Sequence, residues 1–354
     1  MAVSAVLTAV VRRRSLKTDF VSRPAADRFN QKPIPLGGGI AIFSTMAIFL
    51  IAAILTVKFL IAPGHLDWLD ESVSVHAAGF LTRINQLIIV LLCAAGLFTL
   101  GLVDDKKHLG PFLKLAVQFV IAIIAAGFAG IRVEFFIESR IVTSLISAVW
   151  IVFLINAFNF LDNMDGLSAG IAAIASSVLL TAAALSGQVF VSAIAIIFIG
   201  TLLGFLLFNF PPAKIFMGDA GSLVIGFFVA LLTLRTTYYH QSESGPWYPV
   251  LLPLVVMAVP LYDFVSVTLL RICQGKSPFV GDTQHFSHRL KKHGLTDTQT
   301  VLTLYLATLC TSLGATFLYQ VNLTGAILIF IQTFMILAII AIFESTVKND
   351  RNND

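Results

Sequence analysis

The sequence predicts an all-α fold, a polytopic membrane helix bundle of about ten to eleven transmembrane helices with its functional groups in loops on one face. Three observations predict it. Hydrophobic residues make up 57% of the 354 residues and charged residues only 12%, against about 25% charged in a soluble domain. Mean hydropathy is +0.91, so too little polar surface is left to cover a soluble core. The apolar residues also fall in runs long enough to cross about 30 Å of hydrocarbon as helices. The net charge of +4 then reports orientation in a membrane, and no nucleic-acid partner is expected.

Met1 to Val11 is mostly apolar and is followed by Arg12, Arg13 and Arg14. A signal peptide carries its positive charge before the apolar stretch. The reversed order suits a span whose cytoplasmic end lies at the arginines. The stretch is too short to cross the bilayer, so 1–11 is expected to be a partial or truncated first span, with the reading leaning toward a start upstream of Met1. Further spans are expected near 38–62, 84–103, 113–130, 141–158, 167–186, 188–210, 221–240, 248–272, 298–320 and 324–346. No soluble domain or low-complexity linker interrupts them, so 1–354 reads as one domain. Cys93, Cys273 and Cys310 have no metal-ligand spacing and are assigned neither disulfide nor zinc.

Alternation of these spans gathers 12–36, 104–114, 159–166, 209–219, 271–297 and the tail after 346 on one side, with 18 of the 23 Lys and Arg residues. The remaining five, Lys58, Arg83, Arg132, Arg140 and Arg235, lie at or near the other side. The positive-inside rule makes the first side cytoplasmic.

Four polar constellations fall on that side. In the first, Asp104 and Asp105 are adjacent and precede Lys106 and Lys107. Adjacent carboxylates repel unless a cation is near, and hard oxygens of this kind suit Mg²⁺ together with substrate phosphates. A solvated loop after a helix end is the plainer explanation. In the second, Asn156, Asn159, Asp162 and Asp165 recur every third residue up to Gly166. Such groups are costly at a bilayer boundary unless they meet water, a cation or a ligand; helix capping and a wet turn explain only part of the set.

The third runs from Asn209 through Pro211, Pro212, Lys214, Gly218 and Asp219 to Gly221 and Ser222. The prolines end a span, Ser222 is placed to cap the next helix, and that helix start suits an anion. Lys214 offers charge to a phosphate and Asp219 a metal ligand, with capping alone as the alternative. The fourth is Asp282, His285, His288, Arg289, Lys291, Lys292 and His293, suited to gripping phosphate or to acid–base work and equally to a surface helix with incidental histidines. Gly37 to Gly39 reads as close helix packing or a break. Asp263 is an intramembrane acid near the cytoplasmic end of its span, a functional candidate or a partner of Arg271.

Together these groups suggest a metal-dependent reaction of phosphates at the membrane surface, one substrate being a lipid. The ordered set Lys32-Pro-Ile-Pro-Leu-Gly-Gly38, Gly101-Leu-Val-Asp104-Asp105, Asn156 to Leu167, Pro212 to Ser222 and His285-Phe-Ser-His288-Arg-Leu290 resembles the polyprenyl-phosphate N-acetylhexosamine-1-phosphate transferases. The likeness covers roughly 20–295 and is nearer the WecA/TagO branch than the MraY branch.

The resemblance implies an eleven-span enzyme of the bacterial cytoplasmic membrane with its active site facing the cytoplasm. It implies transfer of a sugar 1-phosphate, N-acetylglucosamine 1-phosphate or a related N-acetylhexosamine, from a UDP-sugar to undecaprenyl phosphate. UMP is released, at the start of a cell-envelope glycan. Mg²⁺ is the implied cofactor, with Mn²⁺ as a substitute, and a homodimer is compatible with it. Carried over, Asp104 and Asp105 act near the acceptor phosphate, and Asp162 and Asp165 join them as catalytic candidates lining the nucleotide and metal site with Asn156 and Asn159. Asp219, Asp104 and Asp162 are the implied metal ligands; Lys114, Lys214, His285, His288 and Arg289 face phosphates.

Three departures stand out. Asn163 replaces the family's usual glycine between two aspartates, Ser287 replaces the middle histidine of His-x-His-His, and Arg28-Phe-Asn-Gln31 precedes Lys32 in place of Arg-Lys-x-His. They leave the donor sugar open. Two readings compete with the active enzyme: a cation-coupled transporter, whose polar groups belong near mid-bilayer, and an inactive relative.

Overall fold

The computed structural model describes residues 1–22, 33–63, 65, 71–133, 137–236, 246–277 and 285–345, apart from the side chains of 71–77, 288, 292 and 344–345. Lys32, Arg28 and Asp282 lie outside the described residues, as does the His288 side chain.

The helices are α1 (Ala2–Lys17), α2 (Gly38–Thr56, prolonged by a π turn at Val57–Ile61), α3 (Glu71–Lys107), α4 (Pro111–Phe128), α5 (Arg140–Leu161), α6 (Leu167–Leu185), α7 (Val189–Asn209), α8 (Asp219–Arg235), α9 (Leu252–Val256), α10 (Ala258–Cys273), α11 (Phe286–Lys292), α12 (Asp297–Thr316) and α13 (Leu323–Ser345). A two-stranded antiparallel pair, β1 (Val21–Ser22) and β2 (Ile34–Pro35), is the only sheet among the described residues. The protein is a multi-pass membrane bundle. Eight described helices are long and apolar enough to span, and the bent pair α9–α10 makes a ninth. The remaining expected span is α8, with 17 residues described.

Two expected spans need correction. The run placed at 84–103 is a helix to Lys107, so Asp104 and Asp105 sit on its last turn and not in a loop. The run at 248–272 is broken at Met257, with its halves inclined by 65°. Pro260 explains the break. It has no N–H for the Val256 carbonyl and its ring would clash with that group, whereas in the first turn of a new helix the missing donor costs nothing.

α8 is the axis of the bundle. Its residues from Ala220 to Thr233 are all buried, as expected of a helix apolar on every side. Three glycines let neighbours touch its backbone. A Cβ on Gly39 of α2 would lie 2.3 Å from the Gly221 nitrogen, and one on Gly101 of α3 2.4 Å from the Ala220 nitrogen. A Cβ on Gly226 would itself lie 2.5 Å from the Ile155 Cα of α5. The glycines at the start of α2 are therefore close-packing residues.

Contacts between loops bear out the alternation of spans. Arg12 donates to the Lys214 carbonyl, Ala213 N–H to Asp165, and Ser287 to Asn163. These join four of the loops that the charge count placed on one face. At the opposite ends of the helices, Arg235 donates to the Gly130 carbonyl and Gln188 to that of Arg235.

Candidate active site

The start of α8 organises the site. Residues Ile34 to Gly39 run alongside Phe216 and Met217: Phe216 N–H donates to the Pro35 carbonyl at 2.8 Å, and Gly38 and Gly39 donate back to the Phe216 and Met217 carbonyls at 2.9 Å. This joins the Pro-Ile-Pro-Leu-Gly-Gly segment to the Gly218-Asp219 turn. Gly218 has φ 69° and admits no side chain, because a Cβ there would meet the Asp105 carboxylate at 2.6 Å.

A helix start leaves backbone donors without partners and carries partial positive charge. Asp105, from the end of α3, supplies both remedies: it accepts from Asp219 N–H at 2.8 Å and Ala220 N–H at 3.2 Å. The cap of α8 thus comes from another helix and not from Ser222. The Ser222 hydroxyl instead accepts from Asn159 Nδ2 at 2.8 Å. The anion expected at this helix start is Asp105 itself.

Asp104 and Asp219 are drawn together by Lys114. Pro111 opens α4, its fixed φ suiting the first helical position, and Lys114 lies on the same first turn. The Lys114 ammonium lies 3.2 Å from Asp104 Oδ2 and makes a short ion pair with Asp219 Oδ2. The other oxygen of Asp104 accepts from Leu109 N–H at 2.7 Å, and that of Asp219 from Asn159 Nδ2 at 3.0 Å. Asp104, Asp105, Lys114, Asn159 and Asp219, from α3, α4, α5 and α8, therefore form one cluster.

Asn156 lies one turn earlier on α5 and donates to Gln118 on α4 at 2.7 Å. Gln118 is fully buried and was missed by the sequence reading; a lone amide inside an apolar helix was its one signal. Asp162 caps the C-terminal end of α5 and is half-buried. A carboxylate is unfavourable there, since the helix end is already negative. Among the described residues no three His, Cys, Asp or Glu side chains converge as metal ligands, so the expected trio of Asp104, Asp162 and Asp219 is not assembled. Asn159, one turn before Asp162, takes the place beside Asp219.

Asp165 accepts from Ala213 N–H at 2.8 Å and ties the α5–α6 turn to the α7–α8 loop. Burial raises its carboxyl above the usual range, the Ala213 bond lowers it, Asp297 raises it and Lys291 lowers it. The buried Asn209 reinforces this joint, accepting from Gly166 N–H at 3.1 Å and donating to the Ile215 carbonyl at 2.9 Å. Lys214 is exposed, and its backbone is the part that is held.

A second cluster forms around α11. His285 Nδ1 lies 3.2 Å from Asp263 Oδ2, and Phe286 N–H donates to Asp263 Oδ1 at 2.8 Å. Arg289 donates to Ser266 on the same face of α10 at 3.0 Å. The His285 ring meets the Phe160 ring edge-on at 5.4 Å, and the Arg271 guanidinium lies over that same phenylalanine at 5.0 Å. Asp263 sits in the second turn of α10, just past the bend, rather than near the end of its helix. Ser287 donates to Asn163 Oδ1, so two of the three departures from the family pattern touch each other.

Residues 87–237 match the glycosyl transferase family 4 model. The chain is 28% identical over 344 residues to a probable undecaprenyl-phosphate N-acetylglucosaminyl 1-phosphate transferase of Bacillus subtilis, covering 95% of this chain and 87% of that protein. It is 27% identical to the undecaprenyl-phosphate alpha-N-acetylglucosaminyl 1-phosphate transferase of Yersinia pestis, covering 93% and 83%. Identity is also 27% to the protein of that name from Escherichia coli K12, covering 86% and 78%. The side chains of the α8 cluster all lie inside the matched stretch, and over that stretch the chain is similar to glycosyl transferase family 4.

Proposed function

We propose that the protein transfers N-acetylhexosamine 1-phosphate from a UDP-sugar to undecaprenyl phosphate and releases UMP. The observation that carries this reading is the convergence of Asp104, Asp219 and Lys114 at the capped start of α8. The names of the relatives support the acceptor and the sugar class. In the reaction an oxygen of the lipid phosphate attacks the phosphorus that carries the sugar. The bond from that phosphorus to UMP breaks, and its electron pair leaves with UMP.

Two anionic phosphates must meet, so the chemistry is chiefly charge compensation and positioning. Two carboxylates closing on one cationic point are a donor set that fits Mg²⁺, which commonly takes one or two carboxylates and completes its shell with substrate phosphates and water. Asp219 and Asp104 would hold that ion, which when bound would offset the repulsion between the phosphates. Lys114 would then pair with phosphate oxygen. Asn159 orients Asp219, and Asp105 holds the start of α8. Asp162 and Asp165, at the turn after α5, are read as the nucleotide side of the site with Asn156, and His285, His288 and Arg289 as the diphosphate or acceptor side. The concentration of 18 of 23 basic residues on this face supports a cytoplasmic orientation.

The test gives the purified protein radiolabelled UDP-sugars, undecaprenyl phosphate and Mg²⁺ and follows label into lipid. Label in lipid from at least one N-acetylhexosamine donor is expected, with stoichiometric UMP. A panel of sugars that all fail with intact, monodisperse protein would reject the transferase reading.

A further inference from the structure

Asp263 is an acid inside a membrane-spanning pair of helices, and such a group is expensive unless it is paired or functional. It is 1% exposed, and His285 is 6% exposed. Its two oxygens are divided between two groups at the start of one short helix: Oδ1 receives Phe286 N–H at 2.8 Å, and Oδ2 lies 3.2 Å from His285 Nδ1. The first contact caps α11, and a neutral acceptor could do that alone. The second acts on a ring whose two nitrogens differ in chemistry. An ionised carboxylate only accepts hydrogen bonds, so beside it Nδ1 carries the proton and Nε2 becomes the lone-pair nitrogen of the neutral ring.

The surroundings restrict the ring further. Phe160 meets it edge-on at 5.4 Å. Phe286, 1% exposed, packs edge-on against Tyr262 at 5.8 Å and seats the start of α11 on α10. Ser266, one turn beyond Asp263, takes Arg289 at 3.0 Å and fixes the same helix a second time.

We infer that Asp263 is the positioning residue for His285, holding the imidazole as its Nδ1–H form so that Nε2 is the nitrogen that takes up a proton in transfer and, once protonated, donates to phosphate oxygen. This rests on the proposed placement of His285 at the phosphate side of the site. The pair acts as a carboxylate–histidine unit in which the acid orients the ring and selects its tautomer. The bend at Met257 is what makes it possible, because it sets the second turn of α10 against the start of α11.

Two measurements test this. The first is ¹⁵N NMR of the wild-type protein labelled at histidine, with the His285 signals identified by their loss in His285→Gln. A proton on Nδ1 is expected in the neutral ring, and a neutral ring protonated on Nε2 would overturn the inference whatever the turnover. The second is Asp263→Asn. Its carbonyl keeps an acceptor for Phe286 N–H while its amide donates to Nδ1, so the helix stays capped and the tautomer reverses. The expected result is a kcat lower by roughly 10–100-fold, with KM for the UDP-sugar within about threefold and the Nε2–H signature in the spectrum.

Wild-type kcat together with a reversed tautomer would show that the tautomer does not matter and would overturn the positioning role. Full turnover in His285→Ala would instead remove His285 from the chemistry, and with it the reading on which the inference rests; the NMR result distinguishes the two failures. If Asp263→Asn does not fold, the wild-type spectrum still decides the tautomer.

Discussion

Asp105 and Asp263 do the same local job in the two halves of the candidate site, each accepting from the backbone at the start of a neighbouring helix. What surrounds them differs. The helix that Asp105 caps is long, buried over 220–233, and gripped through backbone contacts at Gly39 and Gly101. The helix that Asp263 caps spans only Phe286–Lys292, and its described polar ties to α10 and to the α5–α6 turn use side chains or a single N–H. The first half is a frame built on close backbone fit that sets Asp104 and Asp219 around the Lys114 ammonium. The second is a set of paired side chains, in which changing one member is felt by its partner. Four substitution experiments break or sharpen that contrast.

The largest effect belongs to the α8 cluster. Asp219→Asn and Asp104→Asn each remove a charge facing Lys114 while keeping size and hydrogen-bonding capacity. Turnover in the lipid-labelling assay is expected to fall by at least about 10²–10³-fold, the scale of losing one preorganised electrostatic contact. Size-exclusion profiles should stay those of the wild type. Wild-type rates in both variants would refute the assignment of these carboxylates.

Next comes the frame itself. Gly101→Ala places a methyl 2.4 Å from the Ala220 nitrogen, and Gly39→Ala one 2.3 Å from that of Gly221. Backbone cannot yield there as a flexible side chain can, so each should cost about 1–3 kcal/mol and lower the thermal midpoint. Gly79→Ala is the control, because nothing lies within 4 Å of its added Cβ; in a helix it should be neutral or stabilising by up to about 1 kcal/mol. Equal midpoints for all three variants would remove the claim that α8 is held by backbone fit.

Much of this frame was legible in the sequence, and the reasons are physical. Charge bias and hydropathy act on whole spans, so they survive errors of several residues, and the facing of the loops followed from them. Asp104, Asp105 and Asp219 were visible because acids at the ends of apolar runs are costly without a purpose. The end of α3 was misjudged because two acids and two lysines look like a loop, whereas Asp105 is stabilised on the helix by the donors of α8, which lie 114 and 115 positions away. The bend at Met257 was missed because a hydropathy window averages over Pro260. Ser222 looked like a cap because caps are usually local in sequence, and here the capping group comes from another helix. The pairing of Asn163 with Ser287, 124 positions apart, could not be read from one sequence at all, although both positions stood out as departures.

That pair supplies the third experiment. Ser287 donates to Asn163, which donates to the Phe160 carbonyl at 2.6 Å. This couples the end of α5 to α11. Asn163→Gly and Ser287→His each restore the usual family residue while stranding the partner. In a double-mutant cycle on kcat/KM the two changes should be non-additive by about 0.5–3 kcal/mol, with the double variant more active than the product of the singles predicts. Strict additivity would mean that the two departures arose separately and that the α11 half is not organised in pairs.

The smallest effect concerns Asp165, at the joint between the halves, where Ala213 N–H meets its carboxylate and Asp297 and Lys291 act on its charge. Its folded carboxyl binds a proton more tightly than the unfolded one, burial being the leading cause. The sign follows from linkage. Below the unfolded value of about 3.9 both states are protonated and this group costs nothing. As pH rises from there through the folded value the carboxyl must ionise in a buried place, and stability is lost. Asp165→Asn keeps an oxygen for Ala213 N–H and removes the ionisation. The midpoint difference between variant and wild type should therefore be small near pH 4 and grow in favour of the variant toward pH 7. A difference that shrinks over that range would place the Asp165 charge among the stabilising contacts of the joint, making it part of the frame and not a cost that the site tolerates.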